Sequence, residues 1–285
     1  MADPARLRAT RSVFLAGVLV AAAVLFAVPA AAQTPTALTN WQLSVGELLV
    51  KQAEPVPEWR VTLGGGIDFD PIYEGAKRYR TLPSLVFDIR YQDLFFVSDG
   101  EGLGVNILRG QNYRAGVAIG YDLGRDHHLQ HRLAGLGNVD PTAEAKIFAE
   151  YFFKAVVLNV DLRKGIGGNS GLVGDVGFYV PLQVPFIENF YVFTGPSVTL
   201  ADHEYMDSYF SVTSEQSARS IFPVFNAHAG LYKSGWGVTA IYDLSDNWWL
   251  EAEGAWQYLL GGAAASPIVE DRSEFNAGVN VIYRF

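Results

Sequence analysis

The chain has 285 residues, is acidic (net charge −9, 21 basic against 30 acidic residues) and contains no cysteine. The charge balance gives no electrostatic footprint for nucleic acid. The missing cysteines exclude a disulfide framework, thiol catalysis and a thiolate metal site.

The N-terminus reads as an export signal. Arg6, Arg8 and Arg11 precede an unbroken apolar run, Val13 to Val28, and the small-residue stretch Ala30-Ala31-Ala32 stands before Gln33. A basic start, an apolar centre and an A-x-A site make a secretory signal peptide over residues 1–32. The apolar run is about 16 residues long, short of the roughly 20 that a spanning helix needs. Removing this segment with Asp3 and the three arginines leaves an even more acidic chain. Residues 33–58 follow. Here "TPTAL" and "EPVPE" bracket "WQLSVGELLVKQA", a lead-in to the next domain that could hold one short helix.

From residue 59 the hydropathy alternates with period two. In "LVFDIRY", Leu85, Phe87, Ile89 and Tyr91 oppose Val86, Asp88 and Arg90. In "AEAKIFAEYF" the charged Glu144, Lys146 and Glu150 share one face, and in "VVLNVDLR" Asp161 and Arg163 do. In "WWLEAEGAWQY", Trp248, Leu250, Ala252, Trp256 and Tyr258 oppose Glu251 and Glu253. The last segment, "EFNAGVNVIYRF", sets Phe275, Ala277, Val279, Val281, Tyr283 and Phe285 against Asn276, Asn280 and Arg284. Successive strand side chains point to opposite faces, so each segment is a strand with one apolar face. After residue 32 no stretch approaches 18 consecutive apolar residues, which removes helical membrane spans from consideration.

The strands are about ten residues long, the length that crosses an outer membrane at a tilt. Aromatic residues stand near strand ends, and the polar faces carry charges of both signs in mid-strand. Backbone groups in lipid are satisfied only by helices or closed barrels. The expected fold is therefore all-β: a transmembrane antiparallel β-barrel over residues 59–285. Expected strands are 59–69, 80–90, 93–98, 102–108, 112–123, 143–153, 156–164, 171–181, 189–200, 223–243, 247–258 and 274–285. That makes about twelve, with ten to fourteen also compatible. The stretch 223–243 is long for one span, with a turn or bulge at "KSG", and the strands around "DGEG" are short. Short periplasmic turns and longer outside loops (70–79, 124–142, 201–222 and 259–273) fit this class.

Two loop segments cluster acids with histidines. "RDHHLQH" groups Asp126 with His127, His128 and His131, and "ADHEYMD" groups Asp202, His203 and Glu204. The first lacks the Glu of an H-E-x-x-H zinc helix. The second alternates across an extended chain, so its side chains do not converge by spacing alone. No G-x-S-x-G or P-loop is present. The reading is of a protein with no catalytic residue, no cofactor and no metal. The charges Glu251, Glu253, Asp161, Arg163, Glu144, Lys146, Asp88 and Arg90 either line a solute path or pair to plug the lumen.

The segments "PIYEG" (71–75), "LGNVD" (136–140), "YMDSYFSVTSEQSARS" (205–220) and "SPIVED" (266–271), with the terminal "FNAGVNVIYRF", resemble the MipA/OmpV family of outer-membrane proteins. The resemblance implies an outer-membrane, non-enzymatic protein that acts as a scaffold between a lytic transglycosylase and a bifunctional peptidoglycan synthase. Other relatives imply small-solute binding or diffusion, or a surface adhesin. Within these motifs Arg219 is placed to clamp Asp207 or Glu215, and Glu270 and Asp271, with Arg272, to lock the opposite loop. Such pairing would give a long loop the internal bonding it needs to be ordered. Tyr283 and Phe285 resemble the signal that the barrel-assembly machinery reads. Outer-membrane lipid would then cover the apolar faces.

Overall fold

The computed structural model describes residues 56–285; the signal-peptide reading and most of the lead-in lie outside them. Twelve antiparallel strands close into one barrel in sequence order, with β1 (Trp59–Pro71) bonded to β12 (Ser273–Arg284). Between them run β2 (Tyr79–Tyr91), β3 (Phe95–Ser98), β4 (Gly102–Arg109), β5 (Tyr113–Asp122), β6 (Thr142–Phe153), β7 (Val156–Gly167), β8 (Leu172–Gln183), β9 (Phe190–Ala201), β10 (Gly230–Asp243) and β11 (Trp248–Leu259). Closure removes the free edges that an open sheet would expose. No helix among the described residues is long and apolar enough to cross a membrane.

The period of two becomes an inside and an outside. Ile67, Leu85, Ile119, Ile147, Phe178, Val238 and Val279 point outward and are exposed, while Arg114, Glu150, Asp161, Asp175 and Asn280 point inward and are buried. An apolar exterior around a charged interior is the reverse of a soluble barrel. It is stable only when lipid covers the outside. Aromatic residues mark both rims of the apolar belt. At the end with short turns, Trp59 packs on Tyr91 and Trp248 on Tyr283, with centroids 4.7 and 4.8 Å apart. Toward the end with long loops, Trp236 and Trp256 face each other in register. Their indole N–H groups donate to Thr194 and Ser273, both at 2.8 Å.

Eleven strands lie within three residues of their expected bounds, and two features of the wall depart from expectation. β10 starts at Gly230, where φ is +133°, and not near residue 223. The apolar residues before it are spent above the barrel, where Phe225 bridges to Val212. The irregularity expected at "KSG" is a register shift between Leu231 and Lys233, one extra residue in β10 against β9.

The second difference is a notch in the wall. β3 pairs with β2 only from Asp88↔Ser98 to Tyr91↔Phe95, so Tyr79–Val86 of β2 extend past the β3–β4 turn with no strand paired to that edge among the described residues. Phe87 directs both its backbone groups at Asp99: its N–H donates to Oδ1 at 3.0 Å, and its C=O accepts from the Asp99 N–H at 3.2 Å. By the alternation of antiparallel strands, Leu85, Pro83 and Thr81 direct theirs to the same side. Pro83 therefore stands on this edge, unpaired among the described residues, where its missing N–H leaves one fewer donor to satisfy.

Candidate functional site: a roofed lumen with two electrostatic sides

The loops above the barrel form a packed roof. The loop after β9 folds into α1 (His203–Phe210) and α2 (Ser214–Arg219), and the loop after β11 into α3 (Gly261–Ala265). Asp202 caps α1 by accepting from the Tyr205 N–H. Thr213 and Gln216 close a reciprocal capping box on α2. The inner face of α1, Met206, Tyr209 and Phe210, packs with Ala227, Tyr232, Leu259 and Ala263. A second apolar cluster joins Ile72, Tyr73, Leu133, Leu136, Val212, Phe222 and Ile268 from four different loops. These clusters are small hydrophobic cores of the kind that holds a soluble domain together, set over the end of a membrane barrel.

The four loop motifs singled out in the sequence meet in this roof. Gly75, at φ +90°, presents its carbonyl to the N–H groups of Glu270 and Asp271 at 2.7 and 3.1 Å. A side chain there would be strained in φ and would press on Val269. Tyr73 donates to Glu270 Oε1 at 2.8 Å. Asp271 accepts from the Ser273 N–H at 3.0 Å. Arg219 reaches Glu215 at 3.1 Å and donates to the Gly135 carbonyl at 2.8 Å. Asp207, the other acid considered for Arg219, accepts instead from the Ser211 hydroxyl at 2.7 Å and lies 3.5 Å from His203. Gln216 donates to the Leu136 carbonyl at 2.7 Å. Glu215 is 82% exposed at its side chain, so the two bonds to backbone carbonyls hold α2 more firmly than the ion pair does. Tyr209 donates to the carboxylate of Asp122 at 2.6 Å, which ties α1 to the top of β5.

The other loop candidates are exposed or half-buried on the roof. Asp126 accepts from the backbone and Nδ1 of His128, and these bonds hold its carboxyl below the usual range. His127 Nδ1 lies 2.6 Å from Asn138 Oδ1. Asp126, His127 and His128 bring one ligand atom each within 4.8 Å of one another; His131 starts the next short 3-10 turn. Glu204 is exposed, and hydrogen bonds from Lys164 and Ser170 lower its carboxyl. Phe285, at the last bond of β12, donates its N–H to the Val61 carbonyl at 3.0 Å, and its ring meets Tyr283 edge-on at 4.8 Å.

Below the roof, the β2–β9 side of the lumen is filled by ion pairs. Arg114 is fully buried; it binds Glu150 through Nε at 2.6 Å and through Nη2 at 2.9 Å, and it also pairs with Glu101. Arg90 bridges Glu101 and Asp88. Arg163 pairs with Asp175, with Asp161 at 3.0 Å and with Glu144 at 3.7 Å. Asn159 and Thr199 add donors to Glu150 and Asp175 at 3.0 and 2.6 Å. Phe96 and Phe148 close the gaps, with Arg114 5.2 Å from the Phe148 centroid. A cavity of about 10 Å³ remains among Glu101, Gly120, Glu144, Lys146 and Arg163. That is room for about one water among these side chains.

The opposite side, on β11, β12 and β1, is acidic. The register sets Glu251 beside Asn280, and Glu253 beside Gly278 with Asp68 on its far side. Asp70 and Asn276 form the next row, joined by a 2.6 Å hydrogen bond. These four acids keep partial exposure inside the barrel, in contrast to the buried Glu101, Glu150, Asp161 and Asp175. Sequence patterning had pointed to Glu251 and Glu253 as lumen residues. Asp68 and Asp70 were missed; the "IDFDP" alternation was the available signal.

Comparison with solved structures returns membrane barrels. A NanC porin matches with 9% identity, covering 78% of this chain and 98% of that one at a TM-score of 0.43. The CymD monoaromatic hydrocarbon channel matches with 11% identity over 86% and 92%, at 0.40. An anion-selective porin from Comamonas acidovorans matches with 8% identity over 80% and 98%, at 0.37. No curated protein matches by sequence. The model of one family, described as MltA-interacting protein MipA, matches residues 63–285, the whole barrel but for the first residues of β1. On that match the chain belongs to the MipA family.

Proposed function

We propose that this outer-membrane barrel is a non-enzymatic scaffold, closed to free diffusion, that holds a lytic transglycosylase and a bifunctional peptidoglycan synthase at the periplasmic face. The observation that carries the closed barrel is the buried network around Arg90, Arg114 and Arg163 beneath a roof with its own apolar clusters. A diffusion channel needs a continuous wet path, and a twelve-stranded barrel lies between filled small barrels and open large ones. Here side chains fill one half of the section. The murein partners rest on the family description, an MltA-interacting protein. Signal-peptide cleavage after Ala32 and delivery to the assembly machinery through Tyr283 and Phe285 complete the reading. The roof bonds of Arg219, Glu215, Glu270 and Asp271 are assigned a loop-locking role, whereas Asp207 serves the end of α1.

Partners at the periplasmic face would meet short turns. The turn after β8 is the most apolar of these: Phe186 is fully exposed, and Ile187 is exposed beside it. Two measurements test the proposal. Purified protein in planar bilayers should give no steady conductance, and crosslinking in whole envelopes should capture a murein hydrolase or synthase. A stable open channel would refute the closed barrel. Crosslinking of correctly folded protein that yields only neighbouring barrels and lipoproteins would refute the scaffold.

A further inference from the structure

The acidic side of the lumen has a composition the ion-pair network does not explain. Its charged side chains are acids, Asp68, Asp70, Glu251 and Glu253, with Ser84 bonded to Asp68 and the Asn276 amide donating to Asp70. Gly278 lacks the side chain that would separate its neighbours, so Asp68 Oδ1 and Glu253 Oε1 converge over it, each 2.7 Å from where a Cβ would stand. Asp68 Oδ1 is buried with no hydrogen-bond donor among the described residues, and so are Asn276 Oδ1 and Asn280 Oδ1. Asn280 is only 2% exposed; its Oδ1 leans over Gly66, in the same row as Glu251. Buried acceptors are costly without donors. Among the described residues the charges that act near Asp68 and Glu251 are those of other carboxylates: Asp70 and Glu253 beside Asp68, Glu253 and Asp99 beside Glu251. Arg80 acts on Asp70 at the edge of the group. Each of the four acids keeps partial exposure inside the barrel through its other atoms, while Asp68 Oδ1 itself is buried.

We propose that this face of the lumen binds an organic cation carrying two primary ammonium groups. One ammonium would sit between Asp68 and Glu253 over Gly278, and the second in the neighbouring row, between Glu251 and Asn280. Residues on one face of a strand repeat every ~6.7 Å, which is about the separation of the nitrogens in a four-carbon diamine. An ammonium supplies three donors and no acceptor, the complement of this wall. A compact metal ion fits less well, because it draws its oxygen ligands into one tight shell. The one trio of acidic or His ligand atoms within 4.8 Å of one another, among the described residues, is Asp126–His127–His128 in the roof.

The test is calorimetric titration of the full folded chain in detergent with 1,4-diaminobutane at low ionic strength. Glu251→Gln and Asp68→Asn should each weaken binding at least tenfold. Both should remain folded, with unchanged or raised denaturation midpoints, since each removes one of several like charges. Glu215→Gln, on the exposed roof, should bind as the parent does. Magnesium at matching concentration should leave diamine binding within twofold. The proposal fails if the parent chain binds no diamine, if Glu251→Gln and Asp68→Asn bind normally, or if magnesium displaces the diamine at equal concentration.

Discussion

Replacing Arg114 by Leu tests whether the lumen is held by its charges. The guanidinium makes a two-point contact with Glu150 and a further contact with Glu101, and the side chain is fully buried. Leu would fill part of the volume against Phe96 and Phe148 but would supply no donor. Glu101 would keep Arg90, and Glu150 would keep only Asn159. A buried carboxylate that loses its cation costs about 3–5 kcal/mol. Two charge-assisted hydrogen bonds at ~1.5–3 kcal/mol each lead to a similar range. The assay is urea unfolding in lipid vesicles followed by tryptophan fluorescence, with gel mobility of unheated samples as a check on barrel closure. Arg114→Leu should lower stability by about 3–5 kcal/mol, and Glu150→Gln in the same background should recover at least 1 kcal/mol by removing the stranded charge. High salt should change the parent little, because buried pairs are weakly screened. A loss under 1 kcal/mol, or an additive double variant, would show that packing and not charge pairing fills this half of the lumen.

Four further outcomes follow from the roof and the wall. Gly75→Val forces a β-branched residue to φ +90° against Val269; limited proteolysis should then cut the loops above the barrel while the strands stay protected. Thr213→Ala removes the α2 capping box and should cost about 1 kcal/mol locally, read as faster amide exchange over 214–219 with no change elsewhere. Burial, followed by the hydrogen bond to Glu270, raises the Tyr73 hydroxyl, and burial with the charge of Tyr205 raises Tyr209. The fold therefore keeps protons that the unfolded tyrosines release near pH 10. Roof stability should be level below about pH 10 and fall as pH rises further, seen as protease access to the loops before loss of barrel mobility on gels. Pro83→Thr restores an N–H on the β2 edge that is unpaired among the described residues and should change global stability by less than about 1 kcal/mol, whereas a loss of several kcal/mol would mean that the edge is paired.

The barrel was legible because its signal is local. Two-residue alternation needs no knowledge of neighbours, so the charges Glu144, Lys146, Asp161 and Arg163 could be placed on lumen faces from the sequence. The strand ends were harder to place. The apolar residues of 223–229 read as the start of a strand, yet Phe225 pairs with Val212 above the barrel, and Gly230 marks the true entry to β10. The roof helices carried readable start signals, Asp202 before Tyr205 and Thr213 with Gln216. The extended chain expected for "ADHEYMD" is instead helical from His203 onward, because the Asp202 side chain caps the first turn. Pairing within the roof was legible only in part: Arg219 with Glu215 is a short-range contact, whereas the stronger bond to the Gly135 carbonyl spans 84 residues. The two-sided lumen was hidden for a deeper reason. Asp68 and Glu253 come together only because β12 lies between β1 and β11, and only because Gly278 leaves room between them. Their meeting depends on closure and register, which are global properties. Reading "IDFDP" and "LEAEG" as two half-sites requires knowing that the first and last strands are neighbours. Once closure is known, the contrast between a cation-paired side and an acceptor-lined side follows from the same alternation that revealed the strands.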